Sequence, residues 1–186
     1  MNTPAHVIFN LALLSRNPNH PKTSAIVVGA LIPDLVMLLF YGWHKMIGTA
    51  EQQIWSLEYY RPFWQAWIDS FNSIPLILLA MLISWKMRWQ LMLLLFASML
   101  LHCLGDLPLH HDDAHRHFFP FLEWKFASPV SYWDPNYYGN LFGPLEILLV
   151  LAASTYLWRE APLRLWIAPL LGIYLTFQVY VALVWA

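Results

Sequence analysis

The chain has 186 residues, of which 59% are hydrophobic and 11% charged, and 10 Lys and Arg against 11 Asp and Glu leave a formal charge of -1. Soluble domains are roughly 45–50% apolar and about 25% charged. The composition therefore excludes a disordered chain, a basic nucleic-acid binder and, with Cys103 as the single cysteine, a disulfide scaffold. A mean hydropathy of +0.49, with 11 Trp, 11 Phe and 9 Tyr, points instead to a lipid bilayer as the partner.

The expected fold is all-α: one integral-membrane helical domain over residues 1–186, a polytopic bundle of about five transmembrane segments with an N-terminal half-helix and an interfacial helix. In chain order, Ala5–Leu14 is the half-helix. It lacks the basic start and small-residue cleavage site of a signal peptide, so it is expected to stay in place. A turn, Asn17-Pro18-Asn19-His20-Pro21, leads into the first span, Ser24–Trp43, interrupted only by Pro33-Asp34. Glu51–Trp67 reads as an amphipathic helix with Ile54, Leu57, Trp64 and Trp67 on one side, kinked at Pro62 and lying in the interface. Ile74–Trp85, lengthened by the turn Asp69–Ser73, then Trp89–Leu104, Leu141–Trp158 and Leu165–Ala186 complete the set.

Basic residues gather at alternate ends of these segments: Arg16 and Lys22, Lys86 and Arg88, Arg159 and Arg164. The positive-inside rule makes those turns cytoplasmic in a bacterial inner membrane and puts segments 43–71 and 106–140 outside. Phe118, Phe119, Phe121, Trp124, Tyr132, Trp133, Tyr137 and Tyr138 then form an aromatic belt in the outer interface.

Depth can be counted from the turns, because an α-helix rises a constant 1.5 Å per residue. His6 lies fourteen residues before His20 and Asp34 fourteen after it; His102 lies fourteen beyond Arg88, Asn72 fourteen before Lys86, Glu146 thirteen before Arg159 and Gln178 fourteen beyond Arg164. All six fall in one layer. Asn72 and Gln178 read equally well as helix–helix hydrogen-bonding residues. Asp34 and Glu146 need more, because a carboxylate among lipid tails requires a cation, a metal or water.

His102-Cys-Leu-Gly-Asp106 stacks imidazole and carboxylate at i and i+4 on one helix face, and His110 continues that face at i+8 beyond Pro108. The run His110-His111-Asp112-Asp113-Ala114-His115-Arg116-His117 adds more donors, or is a solvated polar loop. Imidazole with carboxylate suits Zn²⁺ first, with Mn²⁺ or Fe²⁺ as alternatives, and one or two ions.

With His6, Pro33-Asp34 and His102-x-x-x-Asp106 in this order, the stretch from Met1 to Asp113 resembles the bacterial membrane-bound metal-dependent hydrolases, a family similar in helices and ligand order to zinc-dependent phospholipases C. The resemblance implies that His6, Asp34, His102 and Asp106 bind metal, with Asp106 able to bridge two ions. It implies that His110 or His111, with Asp113 and His115, completes a second site. Where the family carries Thr-His-Ser before its second core helix, this chain has Phe71-Asn72-Ser73; Asn72, or Asp69 one turn earlier, is the candidate replacement.

The expected function is metal-assisted hydrolysis of an ester or phosphoester on a lipid-like substrate, with Asp113, His115 or Glu146 as the catalytic acid or base. No Gly-x-Ser-x-Gly elbow or phosphate-cradling loop offers a rival mechanism. The alternatives are a metal transporter, which needs polar residues continuing to the cytoplasmic face, and a catalytically inactive scaffold. The inner stretches Trp89–Leu101 and Leu165–Thr176 are nearly free of polar side chains, which disfavours the transporter.

Overall fold

Apolar runs separated by Pro, Gly and polar turns leave the backbone one way to satisfy its own N–H and C=O groups in lipid, the helix. A computed structural model describes residues 1–16 and 20–185, and among them every regular element is helical. The elements are α1 (Thr3–Leu14), α2 (His20–Met46), α3 (Glu51–Gln53) running into a π turn (Ile54–Glu58), α4 (Pro62–Phe71), α5 (Ile74–Lys86), α6 (Gln90–Asp106), α7 (Gly139–Leu157) and α8 (Ala161–Trp185).

The short helix α1 takes the middle. It packs on α2, α6, α7 and α8, and Ala5, His6, Val7, Ile8, Asn10 and Leu11 are all buried. One apolar cluster joins α1 to Ile26 and Ala30 of α2, Val150 and Leu157 of α7, and Leu163, Ile167 and Tyr174 of α8; Ile77, Met99 and Cys103 form a second between α5 and α6.

Helices α2 and α6 meet most closely at Gly29, where a Cβ would stand 2.2 Å from the Leu95 carbonyl oxygen. Beside it Ser98 Oγ donates to the Ile26 carbonyl at 2.6 Å, and Asn10 Nδ2 donates to Ser98 Oγ at 2.9 Å. Ser98→Ala removes both bonds but leaves Asn10 its 2.8 Å bond to the Ser98 carbonyl. The expected cost is about 1 kcal/mol, a fall of roughly 2–4 °C in melting temperature measured in detergent.

Among the described residues three helical segments are long and apolar enough to cross a membrane, Pro21–Met46, Gly139–Leu157 and Ala161–Val179, or four if a bent pair counts as one span, rather than the expected five. The difference lies in where helices end. Ser73 accepts from Leu76 N as an N-cap and starts α5 afresh, so α5 has 13 residues, and α4 and α5 join only as a pair bent by 46°. Helix α6 has 17 residues. At 1.5 Å per residue these two reach roughly 20 and 26 Å, short of a ~30 Å hydrocarbon core.

The expected amphipathic helix is also broken. Pro62 does not kink a continuous Glu51–Trp67 helix; it sits in the first turn of α4, where its missing N–H costs nothing. Phe40 of α2 anchors this region, fully buried beneath the rings of His44, Trp55, Tyr59 and Trp64 at 4.9 to 6.1 Å.

The segment after α6 folds back on the α4–α5 bend. Ile74 N donates to the His117 carbonyl at 2.9 Å, His117 Nδ1 to the Asn72 carbonyl at 2.9 Å, and Arg116 Nε to Asp69 Oδ2 at 2.5 Å. Of the expected aromatic belt, Phe121, Trp124, Trp133 and Tyr138 are exposed, whereas Phe118, Phe119, Tyr132 and Tyr137 are half-buried.

Candidate metal centre

Asp106 ends α6 because Pro108 cannot continue it, and its carboxylate faces three imidazoles. Oδ1 stands 2.8 Å from His6 Nε2 and 3.1 Å from His110 Nε2; Oδ2 stands 3.0 Å from His102 Nε2. The Met1 amine nitrogen is 2.7 Å from Oδ1. The His6 and His102 rings stack with centroids 3.6 Å apart and planes within 11°. His6, His102 and Asp106, all buried, present ligand atoms that lie within 4.8 Å of one another and could hold a metal ion. Asp34 borders them, with Oδ1 3.5 Å from His102 Nε2 and Oδ2 accepting from Thr3 Oγ1 at 2.5 Å.

The chemistry of the donors can be tested on His102. Pro33 has no N–H to give the Gly29 carbonyl one turn back, and the next carbonyl, that of Ala30, lies 2.7 Å from His102 Nδ1. A carbonyl only accepts, so Nδ1 carries the proton. Nε2 is then left facing two carboxylate oxygens, and it makes no hydrogen bond. A buried nitrogen 3.0 and 3.5 Å from two carboxylate oxygens calls for positive charge between them, carried by a proton on the ring or by a metal ion. An imidazole held at one nitrogen by a carbonyl, with the other nitrogen directed inward, is how metal-ligating histidines are oriented. The residues present therefore fit a divalent ion; the pair of imidazoles and the carboxylate accept Zn²⁺, Mn²⁺ or Fe²⁺ without choosing among them.

The other candidates fall into separate places. His110 links the group outward, its Nδ1 2.8 Å from Asp113 Oδ2, which also accepts from Trp133 Nε1 at 3.1 Å. Burial disfavours the His110 cation, but contact with Asp106 and Asp113 outweighs it and pushes the pKa up to about 8. His115 lies one layer farther out, its ring 6.3 Å from His110 and 6.0 Å from His117. Burial, reinforced by the charge on His110, pulls its pKa down to about 4, so at neutral pH it is an uncharged acceptor.

His111 is not brought into the group: its Nδ1 donates to the Ser128 carbonyl at 2.5 Å, and its ring stacks on Tyr137 at 3.5 Å. Adjacent side chains point in different directions, so His110 and His111 diverge. Glu146 also stands apart, with Oε1 accepting from Asn2 Nδ2 at 3.0 Å and from Tyr174 OH at 3.2 Å, and Tyr174 in turn bonded to Gln178. Asn72 turns its amide to the Ile68 carbonyl at 3.0 Å, and the Asp69 carboxylate is taken by Arg116, so neither supplies the ligand that the missing histidine would have. In the α1–α2 turn, Asn17 to Asn19 lie outside the described residues, and His20, from which depth is counted, is the first residue of α2 rather than the tip of a turn.

Several supporting groups carry no motif that marks them: the Ala30 carbonyl, Thr3, and Asn2 with Tyr174. Only Pro33 signals one of them, because a proline inside a helix disturbs the carbonyls one turn before it. Comparison with protein-family models, with curated proteins and with solved structures gives no match. The site is read from its own chemistry.

Proposed function

We propose that the protein is a membrane-embedded hydrolase that cleaves an ester or phosphoester, on a lipid-like substrate, with a divalent ion held by His6, His102 and Asp106. The observation that carries this reading is His102 Nε2, buried without a hydrogen bond between the carboxylates of Asp106 and Asp34. When bound, the ion supplies Lewis acidity, acidifying water and drawing electron density from a phosphoryl or carbonyl oxygen.

The chain's own groups divide the remaining work. Thr3 fixes Asp34 Oδ2, leaving Oδ1 beside the group to take a proton; at 28% side-chain exposure, Asp34 is also more open than Asp106 at 4%. His115, its ring 6.3 Å from His110 and its pKa pulled down to about 4, is a weak acceptor and stays outside this proton path. The Asp34 side opens beside Leu35 and Leu38, both exposed on α2, which suits a substrate with an acyl chain.

Orientation follows from charge. The site lies at the end of the bundle opposite the turns that carry Arg16, Lys22, Lys86, Arg88, Arg159 and Arg164. The positive-inside rule then places it in the outer half of a bacterial plasma membrane.

The test is metal-dependent turnover. Purified protein should bind about one ion per chain by elemental analysis, rise in melting temperature when Zn²⁺, Mn²⁺ or Fe²⁺ is added, and hydrolyse a panel of phosphoester and ester lipids. A chelator should remove the activity and one of those metals restore it. Metal binding without turnover on the whole panel, together with metal uptake into reconstituted vesicles, would replace this reading with transport.

A further inference from the structure

At the end of the bundle away from the metal group, a cleft of about 320 Å³ opens between the C-terminus of α1 and the N-termini of α2 and α6. Its volume is in the range of ~300–1,000 Å³ found for small-molecule clefts. Two cations line it, Arg16 and Lys22, with Gln90 at the first position of α6. Leu93, Leu94 and Ala97 make an apolar wall that runs along α6 toward the middle of the bundle.

The field in the cleft is positive from more than its side chains. Neither α2 nor α6 has an acidic residue in its first turn, and Trp89, the N-cap of α6, makes no side-chain cap bond. Gln90 N donates to the Arg88 carbonyl at 3.1 Å, and the positive dipole end of α6 has no acidic side chain in its own first turn. Lys86 and Arg88 lie in the turn that leads into α6, and that turn carries no acid. A polar cationic mouth over an apolar wall, at the level where span ends meet water, matches one kind of molecule: a phosphate with acyl chains attached.

We propose that this cleft is a headgroup site for an anionic phospholipid of the adjoining leaflet. The phosphate sits between Arg16, Lys22 and the α6 N-terminus, and one acyl chain lies along Leu93, Leu94 and Ala97. The site is separate from the metal group and does not depend on hydrolysis.

Full-length protein, delipidated in neutral detergent, is titrated with phosphatidylglycerol or with phosphatidylcholine of the same acyl chains, and bound lipid is counted by native mass spectrometry. Wild type should retain one phosphatidylglycerol in clear preference to phosphatidylcholine. Arg16→Gln with Lys22→Gln should weaken that binding about thirtyfold, as the loss of two basic contacts at a membrane surface predicts. Arg159→Gln with Arg164→Gln, on the same face but outside the cleft, should leave it unchanged. Ala97→Phe, which keeps every charge but fills the apolar wall, should lose the lipid as well, and it decides the matter if the charge variants misfold. Equal binding of the two lipids, or equal loss in the Arg159 and Arg164 variant, would overturn the proposal in favour of a diffuse basic face. Complete displacement by inorganic phosphate would overturn it in favour of a free-anion site. Metal content, measured in parallel, reports on the other end of the bundle and should stay at the wild-type level throughout.

Discussion

His102→Ala should strip the protein of its metal and of metal-dependent turnover, while His111→Ala should do neither. His102 is fully buried, its Nδ1 is committed to the Ala30 carbonyl, and its Nε2 points at the group, so no other side chain can enter its place. Substitutions of the outer partners of metal ligands cost 10–100-fold in affinity, and loss of a ligand should exceed the top of that range. Asp106→Asn tests the same site at constant shape, because it removes the charge shared by His6, His102 and His110. Elemental analysis and turnover on the best substrate of the panel check both variants. If His111→Ala loses as much metal as His102→Ala, the effect is general destabilisation and the assignment fails.

Gly29→Val should be the most damaging change away from the site. A Cβ at residue 29 would meet the Leu95 carbonyl oxygen at 2.2 Å and Ser98 Cβ at 2.8 Å, neither of which can swing aside as a flexible side chain can. The two helices must part, and with them go the Ser98 bond to the Ile26 carbonyl and the His102 bond to the Ala30 carbonyl. Overpacking of this kind costs about 3 kcal/mol, or roughly 6–12 °C in a thermal melt. The surviving folded fraction should also bind metal weakly, because His102 loses its anchor. Gly42→Val, on the same helix with nothing within 4 Å of its Cβ, should melt with the wild type. Coincident melting of all three proteins would mean that the close approach of α2 and α6 does not govern stability.

Depth was legible in the sequence and direction was not. Uniform helical rise puts His6, Asp34 and His102 at one level, with Asp106 one turn beyond His102, and these four do converge. Asn72 and Glu146 share that level but point elsewhere, Asn72 to the Ile68 carbonyl and Glu146 to Asn2 and Tyr174. Helices that are apolar all round carry no amphipathic stripe to tell which face looks inward, so rotation about the helix axis has to come from packing. Span lengths failed for a related reason. Apolarity marks a stretch such as Ile74–Trp85 as lipid-compatible, but a cap at Ser73 and a bend of 46° decide whether it is one straight crossing. The Ala30 carbonyl left only an indirect trace, Pro33 in the next turn, because a backbone atom carries no residue identity of its own.

Helix α1 leaves the ribosome before the four helices it packs on, and two of these, α7 and α8, follow only after α6. Until those two arrive, Val7, Ile8 and Leu11 have no wall on that side and the polar atoms of His6 and Asn10 are uncovered there. The bundle therefore closes around α1. Such distant pairings make assembly slow, and a chain stalled after α6 exposes the surface that insertion quality control can recognise. A metal taken up between α1 and α6 would tie the first helix in place during that wait, before the last two cover it.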